Sequence, residues 1–107
     1  MAVVQVSIAP NRERYELVRS YVNVAGDRPA GLILHAASEL PSGEIQIVDV
    51  FEDAEALAAF GQDCMMPAFG RAGVLTDITA RPAPAAYPAF DLVRSGKAGR
   101  VLINVSS

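Results

Sequence analysis

GLILHAASELPSGEIQIVDVFED, residues 31–53, decides the fold of this chain. Gly31–Glu39 is a predominantly apolar run, Pro41-Ser42-Gly43 is turn chemistry, and Glu44–Glu52 alternates around β-branched residues. This is the pattern of two antiparallel strands joined by a tight turn. A turn centred on Ser42 and Gly43 sets Leu34 opposite Phe51 and Ala36 opposite Asp49. One face of the hairpin then holds Leu34, Ala36, Ile45, Ile47, Asp49 and Phe51, and the other holds Ile33, His35, Ala37, Gln46, Val48 and Val50. Both faces are mostly apolar, so both are expected to be covered.

Working outward, Asp53 has the side chain of a helix N-cap, with Glu55 in the first turn favoured by the helix dipole. Leu57, Phe60, Cys64, Ala68 and Phe69 make the inner stripe of that helix. Pro67 is expected to kink it, and Gly70 or Gly73 to end it. On the N-terminal side, Ala2–Ile8 reads as a strand and Asn11 as the cap of a helix over Arg12–Ala25, stopped by Gly26. Val74–Thr79 is short and β-branched, which predicts a fourth strand. Arg81–Pro88 reads as an irregular or extended Pro/Ala loop. Phe90–Arg94, a Gly-bounded turn over Ser95–Gly99 and an alternating strand Arg100–Val105 close the chain.

The order β-α-β-β-α-β with a trailing strand is the ferredoxin-like arrangement, an α+β fold with two helices on one face of an antiparallel sheet. The 107 residues suit a single domain, 1–107. With 51% hydrophobic residues in so small a chain, apolar surface is left over for a partner. At about 25 cal/mol per Å2, a few hundred Å2 of exposed apolar sheet contributes several kcal/mol to association. A homodimer is therefore expected, with a cavity between two curled sheets.

A net charge of −3 and the absence of any adjacent pair of basic residues argue against a nucleic-acid partner. A single cysteine, Cys64, excludes an intrachain disulfide and a cysteine zinc cage. No apolar run reaches the length of a membrane span, and no basic-then-apolar leader opens the chain, so the expectation is a cytoplasmic protein away from membranes.

Three pieces carry a resemblance: Gly31–His35, Ile47–Asp53, and the helix from Ala54 through Phe60 to Pro67. They resemble the dimeric α/β-barrel superfamily, whose members often have a histidine late in the second strand, a V-D-V-W-E-S third strand, and a helix with a Phe and a later Pro. That superfamily includes antibiotic-biosynthesis-type monooxygenases, aromatic polyketide cyclases, muconolactone isomerases and haem-degrading enzymes. The resemblance implies a dimeric barrel acting on a small molecule. Phe51 stands where the pattern has Trp and Asp53 where it has Ser. The chain has no tryptophan, and Asn11, Asn23 and Asn104 lie elsewhere. Those departures weigh against the Trp- and Asn-dependent monooxygenase and haem-degrading chemistries.

His35 is the candidate general acid or base, because an imidazole works in either direction near neutral pH. Its ordinary alternative is a hydrogen-bonded histidine of the core or dimer seam. Asp49, mid-strand among apolar neighbours, is expected to be paired, with a helix N-terminus or an arginine such as Arg71, or else to serve as a second base. Cys64 reads as a buried, inert thiol. Phe51, Met65, Met66, Arg71 and Tyr87 are the candidate lining of an apolar pocket; for Met65, Met66 and Tyr87 plain packing is the commoner use, and for Arg71 the solvated surface. Tyr15 and Tyr21 also offer hydroxyls that could orient a phenol or quinone, with Tyr87 preferred for a cavity mouth, and Arg81 and Arg94 offer cations. Proton transfer by His35, in a cyclase or isomerase without metal or other cofactor, suits these residues best. A cofactor-independent monooxygenase and a non-catalytic ligand-binding protein are the alternatives.

Overall fold

A computed structural model of the chain describes residues 1–22 and 29–93. Four strands form one antiparallel sheet: β1 (Val3–Ala9), β2 (Leu32–Glu39), β3 (Ile45–Phe51) and β4 (Ala86–Pro88), in the order β2-β3-β1-β4. Helix α1 (Arg12–Arg19) links β1 to β2. Helices α2 (Ala54–Phe60), α3 (Met66–Ala72) and α4 (Leu75–Thr79) link β3 to β4. This is the ferredoxin-like topology, with each outer strand reached through helical chain.

The hairpin corrects the expected register. Gly43 N–H donates to the Leu40 carbonyl at 2.9 Å, Leu40 N–H donates to the Glu44 carbonyl at 2.8 Å, and Gly43 sits at φ +92°. The loop is therefore three residues, Pro41-Ser42-Gly43, with glycine in the left-handed position, and not a two-residue turn on Ser42-Gly43. The extra residue slips the pairing by one. His35 stands opposite Asp49 and Ala36 opposite Val48. Beyond it, a bulge between Leu32 and Leu34 returns Leu32 to Phe51. A one-residue slip exchanges faces, so His35 and Asp49, expected on opposite sides, share one.

The ladders now define the two faces of the sheet. Gln5, Ser7, His35, Ala37, Ile47, Asp49 and Phe51 share the face that meets the helices. Val4, Val6, Ile8, Leu34, Ala36, Val48 and Val50 share the other. On that second face Val6 and Ile8 are 45% and 44% exposed. The helix side thus carries the buried Val3, Ile45 and Phe51 beside Gln5, His35 and Asp49, while the other side is largely aliphatic.

Three further expectations change. Val74–Thr79 is not a strand. Gly73 caps α3 at φ +75°, with Gly73 N–H bonded to Gly70 O and Val74 N–H to Phe69 O, the paired bonds of a Schellman stop. The chain then winds into α4, whose Ile78 packs, with Val74 just before it, against Val18 and Ala68, so burial overrides β-branched propensity. The fourth strand comes instead from the end of the Pro/Ala segment, where Tyr87 pairs with Val4; Pro88, without an N–H, is tolerated at this edge. Helix α1 ends at Arg19 and is followed by a turn through Val22; the rest of the expected helix, to Ala25, and its Gly26 stop lie outside the described residues. The closing strand expected over 100–105 lies outside the described residues.

The long helix expected after Asp53 is interrupted by a π-helical turn, Gly61–Met65, just before Pro67. Proline has no N–H to give residue 63 and its ring crowds that carbonyl, so the backbone widens to carry one extra residue. The inner stripe then runs Leu57, Phe60, Met65, Ala68. Cys64, expected to be buried, is exposed. Among the described residues, no helix is long and apolar enough to cross a membrane.

Two side-chain devices seat the helices. Gly31, at φ +80°, lies so close to α2 that an added Cβ would fall 2.6 Å from the Ala56 methyl. Gly31→Ala is expected to cost about 2 kcal/mol, from positive φ and the clash together, read as a Tm roughly 10 °C lower. Arg14 and Arg81 both donate to Asp77, at 2.8 and 3.2 Å, tying α1 to α4. The Arg14 hydrogen bond, followed by the charges of Arg81 and Arg14, holds the Asp77 carboxyl below its ordinary 3.8. A depressed carboxyl stabilises the fold fully above its unfolded value and loses that contribution as pH falls through the folded value. Asp77→Asn is therefore expected to flatten the acid limb of a stability-against-pH curve below about pH 4, with wild type and variant converging at the lowest pH.

Candidate active site

Tyr15, His35 and Asp49 form one hydrogen-bonded line between helix and sheet. Asn11 starts α1 by accepting the Arg14 N–H at 2.8 Å, and that start turns Tyr15 towards the sheet. The hairpin register sets His35 on β2 across from Asp49 on β3. Tyr15 Oη lies 2.8 Å from His35 Nε2, and His35 Nδ1 lies 2.6 Å from Asp49 Oδ1. The phenol and imidazole rings are near parallel, at 9° and 6.3 Å between centroids. Both inner side chains are mostly shielded, at 21% exposure for His35 and 13% for Asp49.

Donor and acceptor roles follow from the chemistry of the groups. A carboxylate only accepts, so the Nδ1 that faces Asp49 carries a proton and donates to it. In the neutral tautomer Nε2 then presents its lone pair, and the Tyr15 hydroxyl donates to it. The arrangement pairs a weak acid with an oriented base whose charged form the carboxylate stabilises. Such a line can take a proton at the phenolic oxygen and return it. Because Nε2 is already engaged, the oxygen of Tyr15 is the outer end of the relay.

Tyr15 has its pKa raised above the ordinary 10.0. Burial is the largest cause; Arg19, one helical turn on, pulls it down, while Asp49 and Glu16 push it further up. The side chain is thus a phenol at neutral pH, with its proton in the bond to His35. Gln5 sits across from Asp49 on the other ladder, but its amide donates to the Pro84 carbonyl at 3.4 Å and lies outside the relay.

The remaining sequence candidates are dispersed. Asp49 is bonded to His35, not to Arg71 or a helix N-terminus; Arg71 is exposed in the last turn of α3. Phe51 is fully buried, with its ring 5.4 Å from that of Phe60. Met65 packs against the Val18–Ala68–Val74 cluster, whereas Met66 is exposed. Tyr87 stands 68% exposed on the outward face of the sheet, opposite to His35, in an open cleft of about 420 Å3 lined also by Val4, Val6 and Phe90. Arg81 is engaged with Asp77, and Arg94 lies outside the described residues. The sequence favours Tyr87 over Tyr15 for a cavity mouth; the signal for Tyr15 is its position four residues after the Asn11 cap, on the apolar face of α1.

No protein-family model matches the chain, and no curated protein matches it. Its fold is that of a Deinococcus radiodurans protein whose crystal structure is assigned as an antibiotic biosynthesis monooxygenase. The two share 16% sequence identity at a TM-score of 0.57, over 89% of this chain and 98% of that one. The likeness is one of fold.

The relay makes a spectroscopic expectation. The phenolate signal lost in Tyr15→Phe should titrate above 10.0, should move higher in Arg19→Gln and should move lower in Asp49→Asn. Ultraviolet difference titration of the four proteins reads this directly. A Tyr15 step at or below the ordinary value would contradict the buried, donating phenol.

Proposed function

We propose that this protein is a homodimeric enzyme that moves a proton on a small aromatic or polyketide-like molecule, in a cyclisation or isomerisation. The single observation that carries the reading is the Tyr15–His35–Asp49 line. A reaction of this class needs one base that takes a proton from an acidic C–H or O–H and one acid that gives it back. Tyr15 with His35 behind it can serve as both, and Asp49 keeps the imidazole in the tautomer required.

The dimer rests on the outward aliphatic face, where Val6, Ile8 and Tyr87 are left substantially exposed. A second copy laid against that face would bury them and leave the helix side, with the relay, free to receive substrate.

A monooxygenase is the second reading, favoured by the fold shared with the Deinococcus protein. It would begin with the same step, since a deprotonated phenol or anthrone is the form that gives an electron to O2. The two readings diverge at the product. Cyclisation or isomerisation keeps the atoms of the substrate, apart from any water lost, and consumes no O2. Oxidation of an anthrone to an anthraquinone consumes one O2 per turnover and releases water.

A panel of anthrones, hydroxynaphthoquinones and poly-β-ketones, followed by mass spectrometry and an oxygen electrode, separates them. His35→Gln is expected to abolish turnover, and Tyr15→Phe to lower it by about 100-fold, with folding intact by circular dichroism. Full activity in both variants would reduce the line to a staple between α1 and the sheet.

A further inference from the structure

The hydrogen bond that suits proton transfer also suits the loss of an electron. We propose that Tyr15 is a redox-active tyrosine, which gives one electron to an organic peroxyl or phenoxyl radical while its hydroxyl proton passes to Nε2 of His35. The balance is simple. Tyr15–OH and ROO• become Tyr15–O• and ROO−, with the proton held on His35 and later delivered to the peroxide anion. The O–H bond of Tyr15 breaks, an N–H bond forms on His35, and the peroxyl radical is reduced.

Removing an electron from a phenol makes its O–H strongly acidic. Where no base is in contact, oxidation must pass through a high-energy radical cation or wait for water to take the proton. At 2.8 Å, Nε2 is already in place to receive it. The imidazolium that results keeps its other N–H on Asp49 at 2.6 Å, so the new positive charge is met at once by a carboxylate. The chain contains no tryptophan, three tyrosines and one histidine. Tyr15 is consequently the one aromatic donor that can have an imidazole partner.

Exposure adds a second distinction. Tyr21 and Tyr87 are 44% and 68% exposed, where a phenoxyl radical meets other molecules and couples with them. Tyr15 is half-buried between α1 and the sheet, and its radical would be protected from coupling. Electron transfer does not need contact between the reactants, so that shielding costs little in rate. This activity goes beyond the proton-transfer reading and does not require it, because it asks only for the hydrogen bond and not for a bound substrate.

The test uses Tyr21→Phe/Tyr87→Phe/Cys64→Ser, which leaves Tyr15 as the sole tyrosine and removes the thiol. Photogenerated tris(bipyridine)ruthenium(III) is the oxidant, with optical and electron paramagnetic resonance detection of the neutral phenoxyl radical. The radical is expected at neutral pH, slower to form in D2O than in H2O, and lost when His35→Gln is added. Peroxyl radicals from a thermal azo initiator should generate the same signal. Absence of the radical, or a rate indifferent to both D2O and His35→Gln, overturns the proposal. If His35→Gln fails to fold, the parent variant still decides: a rate independent of buffer concentration supports transfer to His35, and a rate that rises with buffer base overturns it.

Discussion

One loop residue governs this molecule. Because Pro41-Ser42-Gly43 is a three-residue connection closed by a left-handed glycine, β2 pairs with β3 so that His35 and Asp49 face the same way. A two-residue loop would have put the carboxylate beneath the helices and the imidazole on the outer face. The relay, the shielding of Asp49 and the docking of α1 through Tyr15 all follow from that pairing. Since the repeat of a strand is two residues, no intermediate arrangement exists between them.

The register also sets how the two faces of the sheet differ. Towards the helices the sheet presents the buried Val3, Ile45 and Phe51 beside Gln5, His35 and Asp49, while Val4, Val6, Ile8 and Val48 lie on the other side. Polar groups shielded under helices need partners, and no buried polar side-chain atom among the described residues lacks one. The inner face joins an apolar core to the polar relay, and the outer face leaves aliphatic surface that water covers poorly.

Much of the architecture could be read from local signals. Asn11, Asp53 and Gly73 mark helix ends because capping is a matter of a few consecutive residues, and the hairpin announces itself by turn chemistry between two apolar runs. Non-local features are of another kind. Gly43 has a positive φ in either loop, so its presence could not distinguish two residues from three. The β-branched run at Val74–Thr79 looks like a strand until the Val18–Ala68 cluster is in place to bury Val74 and Ile78. Tyr15 and Asp49 are 34 residues apart, and only tertiary packing places both on His35. The site was half visible: its base and carboxylate could be picked out by type, its phenol and their alignment could not.

The π-helical turn at Gly61–Met65 has a counterpart in that hairpin, for both are places where the chain carries one residue more than the simplest scheme needs. In the helix the surplus is absorbed locally, since the layer beneath is met by Phe60 before it and Met65 after it. Losing a residue there would restore a regular helix with its inner stripe still in phase. The same edit in the hairpin would turn over every side chain beyond it. Natural length variation in relatives of this chain should therefore accumulate in the former stretch and be purged from the latter.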